Sequence, residues 1–92
     1  MIYEWDGGKA RTNQRKHGVS FEEAASVFLD PKALTYPDPF HSAAEEREIT
    51  IGHSMRRRVL FVAHCPRRDR IRIISARKAT RKEHTQYEEE NR

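Results

Sequence analysis

Apolar positions recur in this chain with two periods, and the switch between them marks its elements. Ile2-Tyr3-Glu4-Trp5 alternates over a length that suits a short edge strand. Lys9 to His17 is polar; Asp6 precedes it as a side-chain acceptor and Gly18 follows it, where a left-handed residue is easiest, so the segment is predicted as a first helix. Ser20 and Glu23 have the spacing of a reciprocal capping box, S-x-x-E. Phe21, Ala24, Ala25 and Phe28 then fall on one helical stripe, predicting a second helix that stops at Asp30-Pro31.

Beyond that point the period drops to two. Ala33 to Tyr36 reads as a short strand, and Pro37-Asp38-Pro39 bars further pairing and opens a loop through Glu46. Arg47 to Ile51, Arg58 to His64 and Arg70 to Ser75 are three more strands, joined by Gly52-His53-Ser54-Met55 and by Cys65-Pro66-Arg67-Arg68-Asp69. Connections this short predict an antiparallel meander. Ile49/Ile51 and Ile71/Ile73 alternate with polar residues, so one sheet face is expected to be buried while Arg70 and Arg72 point the other way. Val59 to Val62 is apolar on both sides, as a central strand should be. Thr80 and Glu83 make a second capping box, opening a last helix toward Glu90 whose only large anchor is Tyr87. The order β-α-α-β-β-β-β-α predicts an α+β fold, with two N-terminal helices and one C-terminal helix packed on a mostly antiparallel sheet.

Composition narrows the class. The chain has 92 residues, room for one small domain over 1–92, and 36% of them are hydrophobic against the ~45–50% usual for globular chains, so its core is thin. No apolar stretch approaches the ~20 residues that span a bilayer, and residues 1–6 lack a basic-then-apolar leader; a soluble, cytoplasmic protein with no membrane partner is expected. A single cysteine, Cys65, excludes an intrachain disulfide and a Cys-rich zinc site, and the five histidines have no metal-ligand spacing. The net charge of +4 is unevenly spread: residues 1–50 carry six Lys/Arg against nine Asp/Glu, residues 51–92 twelve against five. Between Arg56 and Lys82 stand eleven basic residues and one acid, Asp69, the footprint of a polyanion binder with nucleic acid as the leading partner.

The opening Glu4-Trp5-Asp6, Lys9, Asn13 and Lys16-His17-Gly18-Val19-Ser20-Phe21-Glu22-Glu23-Ala24 resembles the signature of the BrnT toxins. So do Glu46-Arg47, Ile51-Gly52, Arg72-Ile73-Ile74-Ser75-Ala76-Arg77, Ala79, Arg81, Glu83 and Tyr87. The resemblance implies a type II toxin of RelE-like fold, a small metal-independent ribonuclease without cofactors that arrests translation by cutting RNA, free or as ribosome-bound mRNA. It further implies neutralisation by a BrnA-type antitoxin, through which alone the complex would reach operator DNA.

Metal-free cleavage of RNA asks for charge stabilisation at phosphorus and for two proton transfers. Arg77 and Arg81, at the end of the last strand and the first turn of the following helix, can supply the charge, since a phosphate there would also meet free helix N–H groups. Arg70, Arg72, Lys78 and Lys82 are the accompanying candidates for RNA contact; the competing reading of all these bases is a solvated face or an antitoxin dock. His17, at the end of helix one, is either a proton carrier or a cap beside Gly18. Tyr87 is either a catalytic phenol oriented by Glu83 or the anchor of the last helix. Trp5 and Phe61 read as core residues before base-stacking ones. Two other classes stay open: a non-catalytic RNA- or ribosome-binding module, and a purely protein-binding subunit of the complex.

Overall fold

The computed structural model describes residues 1–41 and 46–92. Its elements are β1 (Ile2–Glu4), α1 (Gly7–His17), α2 (Phe21–Ser26) running into a 3-10 turn (Val27–Leu29), β2 (Leu34–Pro37), β3 (Glu48–His53), β4 (Val59–Arg67), β5 (Arg70–Lys78) and α3 (Arg81–Glu90). The five strands lie in the order β1-β5-β4-β3-β2, with β1 parallel to β5 and every other pair antiparallel. This is the expected α+β layout, and β4 is central as its apolar run required. Among the described residues no helix is long and apolar enough to cross a membrane.

Local chemistry accounts for the helix ends. Asp6 accepts the Lys9 N–H at 2.8 Å, and Gly18 closes α1 at φ 68°, a conformation that glycine enters without steric cost. At α3 both halves of the capping box form: Thr80 Oγ1 accepts the Glu83 N–H at 3.2 Å, and Glu83 Oε1 accepts the Thr80 N–H at 2.8 Å. The box expected at α2 is only half there. Ser20 accepts the Glu23 N–H at 3.0 Å, but the Glu23 carboxylate, 1% exposed, turns inward to Arg58 and to Ser54 Oγ at 2.7 Å. Arg58 also donates to the Gly18 carbonyl at 3.1 Å, tying the end of α1, the start of α2 and the β3–β4 turn together. The Arg58 bond holds the Glu23 carboxyl below its ordinary range against the opposing effect of burial.

The strands run longer than their hydrophobic pattern. β3 continues through Gly52 and His53, β4 through Cys65 to Arg67, and β5 through Arg77 and Lys78. Tight turns make this possible: Arg57 at φ 62° and Arg68 at φ 57° reverse the chain within a few residues. Pro66 is tolerated inside β4 because β3 pairs only as far as His64, so its missing N–H faces no partner there. Pro37 ends β2 at the sheet edge, one residue inside the predicted loop; part of that loop, residues 42–45, lies outside the described residues. Gly52 is fixed by packing, since a Cβ there would meet Val27 Cγ1 and Ala33 Cβ at 3.0 Å.

Both faces of the sheet are covered, not one. Val19, Phe21, Ala24, Val27, Leu60, Val62, Ile73 and Ala76 form a core beneath α1 and α2. Ile49, Ile51, Val59, Ala63 and Tyr87 form another on the α3 side. The polar positions of β3 that suggested a solvated face are partly interior: Thr50 bonds Thr35 Oγ1 and His64 Nε2, both at 2.8 Å, and Thr50 and His64 are buried. Burial lowers the His64 pKa to about 4. The Glu48 carboxylate, 3.9 Å from Nδ1, is too distant and too solvated to offset that.

His64 is therefore neutral when folded but titrates near 6.5 when unfolded, so its contribution is complete above pH 6.5 and is lost as the pH falls toward 4. We expect urea unfolding to show ~3 kcal/mol of stability lost across that window. His64→Gln, which can keep the bond to Thr50, should flatten it; an unchanged pH slope in the variant would contradict the assignment.

Candidate functional site

On the α3 side of the sheet, a cleft of about 620 Å³ opens between β2 with its following turn and the junction of β5 and α3. Ile49, Phe61, Ala63 and Ile74 make an apolar floor, and Tyr36, Asp38, His41, Arg47, Arg77 and Glu83 line the rim. The guanidinium of Arg77 lies over the Phe61 ring, 4.0 Å from its centroid. Its Nη atoms donate to the two Glu83 oxygens at 2.8 and 3.0 Å and to the Lys78 carbonyl at 3.2 Å. Three of its five N–H donors are thereby engaged among the described residues. The hydrogen-bonded Glu83 raises the Arg77 pKa further, so the group is charged at any working pH.

Arg47 approaches from the start of β3, and its carbonyl accepts the Asp38 N–H at 2.9 Å. Its Nε–H is buried with no hydrogen-bond partner among the described residues. Asp38, itself buried, accepts the Phe40 N–H at 3.0 Å and faces His41 Nδ1 at 3.1 Å, so one carboxylate fixes both the turn and the imidazole. Burial pushes the Asp38 carboxyl up, but the Phe40 amide and His41 outweigh it and hold it below its ordinary value. Tyr36 is shifted the other way, upward, by burial and by the Glu83 charge. Two guanidinium groups, a phenol held protonated and a carboxylate-oriented histidine thus share one concave surface. That set can grip a phosphodiester and move protons on either side of it.

The positions singled out in the sequence are dispersed. Arg77 is in the cleft. Arg81 and Lys82 are exposed on the first turn of α3, with Lys78 exposed just before it. Of the helix N–H groups expected to receive a phosphate beside Arg77, that of Glu83 is engaged by the capping box, and the Glu83 carboxylate takes the arginine fork. Arg70 and Arg72 stand at the far end of β5, ~26 Å along the strand from Lys78 in the case of Arg70. Arg72 there donates to Glu4 at 3.2 Å. His17 ends α1 in a separate groove with Lys9 and Lys16. Tyr87, 4% exposed, donates to Asp30 Oδ2 at 2.5 Å and lies 3.1 Å from His53 Nδ1. Burial and Asp30 raise its pKa to about 12.

Tyr36, Asp38, His41 and Arg47 carry little signal in the sequence. Arg47 alone carried a signal, within Glu46-Arg47; the others sit around a proline turn whose pattern says only that the chain reverses. Among the described residues no three His, Cys, Asp or Glu side chains are placed to hold a metal.

The family described as ribonuclease toxin, BrnT, of type II toxin-antitoxin systems matches residues 5–83. The crystal structure of the Brucella abortus ribonuclease toxin BrnT superposes with a TM-score of 0.67 at 24% identity, over 88% of this chain and 100% of that one, a likeness of fold. No curated protein sequence matches the chain.

The Tyr87 contacts define an anchor between α3, the 3-10 turn and β3. Tyr87→Phe keeps the ring and deletes the hydroxyl that Asp30 accepts from, and is expected to cost ~1–2 kcal/mol in urea unfolding. A change under ~0.3 kcal/mol, within the scatter of neutral surface changes, would contradict that role.

Proposed function

Because the chain belongs to the BrnT family of type II ribonuclease toxins, we propose that it cleaves RNA in the cleft of Arg77, Arg47, Tyr36 and His41, by attack of a ribose 2′-hydroxyl on the adjacent phosphorus. His41 Nε2 takes the 2′-hydroxyl proton while Asp38 holds Nδ1 and stabilises the imidazolium. The 2′-oxygen bonds to phosphorus, the bond to the 5′-oxygen breaks, and Tyr36 returns a proton to that oxygen. The products are a 2′,3′-cyclic phosphate and a 5′-hydroxyl. Arg77 and Arg47 face the charge that grows on the phosphoryl oxygens, and Glu83 keeps Arg77 in place over Phe61.

One observation carries this reading: Arg47 and Arg77 line, with a carboxylate-oriented histidine, one cleft that opens to solvent. The cellular consequence is arrest of translation through cut mRNA. A BrnA-type antitoxin covering the basic surface ends it, and operator DNA is engaged through that partner only. The pairing of Arg77 with Glu83 favours a second reading, in which the protein holds RNA without cutting it.

Purified protein and a single-stranded RNA of mixed sequence separate the two. His41→Ala is expected to lower the cleavage rate ~10²-fold or more, and Arg77→Ala by a similar factor, with RNA retention largely kept in the histidine variant. Rates within ~3-fold of the parent in both variants would remove the cleft from the reaction. RNA bound but uncut by the parent protein would establish the second reading.

A further inference from the structure

A second groove follows the outer edge of β5, on the side of α1. β1 pairs with β5 only from Arg70 to Arg72, so among the described residues the edge beyond has no strand beside it. Asn13 of α1 closes part of it: its Oδ1 accepts the Ala76 N–H at 3.0 Å, and its Nδ2 donates to the carbonyls of Ala76 at 2.8 Å and Val19 at 2.9 Å. The groove holds about 500 Å³, and Lys9, Lys16 and His17 line its α1 wall. Ile74 and Ser75 line both this groove and the cleft, so the two depressions share a border at β5.

We propose that this groove is an RNA subsite: a single strand lying in the cleft continues over Ser75, and Lys9 and Lys16 hold the phosphates flanking the scissile one. The inference rests on the ribonuclease reading above. The charge fits the occupant. Lys9 and Lys16 are seven residues apart, two helical turns on one face of α1 and ~10.5 Å along its axis. Neither makes an ion pair among the described residues, and half-buried His17 adds a ring donor beside them. The one acid among the groove's lining residues, Asp6, accepts the Lys9 N–H with one of its two oxygens. A peptide strand is the poorer occupant, because strand addition needs consecutive free backbone groups and Asn13 has taken those of Ala76.

The test is fluorescence anisotropy with a labelled single-stranded 12-mer whose riboses are 2′-O-methylated, so that binding is read with no cleavage. Lys9→Ala/Lys16→Ala removes two exposed side chains and keeps helix propensity, and an unchanged thermal melt confirms the fold. The double variant is expected to bind the 12-mer ~10-fold more weakly at 0.1 M salt, with a salt slope shallower by about 1.4, and to bind a 3-mer as the parent does. Equal affinity and slope for the 12-mer in both proteins would overturn the proposal. So would unchanged RNA binding together with lost retention on poly-glutamate, which would assign the groove to an acidic protein. A parent protein that binds the 12-mer through these lysines and never cuts unmodified RNA would sink the ribonuclease reading and leave the subsite standing.

Discussion

Along β5, Ile73 and Ala76 pack beneath the N-terminal helices while Ile74 and Arg77 face α3, an order that strict alternation forbids. The irregularity beside Ala63 and His64 permits it: Ala63 pairs with Ser75 and His64 with Ile73, so Ile74 is the extra residue. With a regular ladder Arg77 would share the side of Ile73 and push a guanidinium toward Phe21 and Val62, where burying the charge costs several kcal/mol. With the bulge it lies across Phe61 at the rim of an open cleft. The same kink brings Ile74 and Ser75 to the border between that cleft and the groove beside α1.

Electrostatics then sets what the cleft can receive. Glu83 does two tasks with one carboxylate, closing the α3 cap and gripping Arg77 in a fork. It preorganises the guanidinium and also competes for it. Half-buried Arg47 lines the same rim, and its Nε–H has no hydrogen-bond partner among the described residues. The basic residues of the sequence block do not act as one patch: Arg67, Arg68 and Arg70 surround one hairpin, while Arg56, Arg57, Lys78, Arg81 and Lys82 gather at the other end of the sheet.

The helix ends were legible because their causes are local: Asp6, Gly18, Ser20 and Thr80 act within four residues of themselves. The central place of β4 followed from its apolar run. What escaped depends on distant partners. Glu23 has the spacing of a reciprocal cap, yet Arg58, 35 positions later, claims its carboxylate. Thr50, between Ile49 and Ile51, reads as a solvent-facing position until Thr35 and His64 bond it. The bulge leaves no mark on a pattern of Ile, Ile, Ser, Ala. The cleft is assembled from β2, a proline turn, β3 and the β5–α3 junction, so Arg77 could be picked from its charge and place, whereas Tyr36, Asp38 and His41 acquire meaning only when folded together.

In the proposed reaction the 2′-oxygen of the RNA itself attacks phosphorus in this cleft. The most direct measurement is the chemistry of the new ends made by purified protein in a chelating buffer. Attack by the 2′-oxygen leaves 2′,3′-cyclic phosphate and 5′-hydroxyl ends, and makes no cut at a site whose preceding ribose is 2′-deoxy. Ends bearing a 5′-phosphate, or cleavage undiminished at the deoxy position, would contradict it.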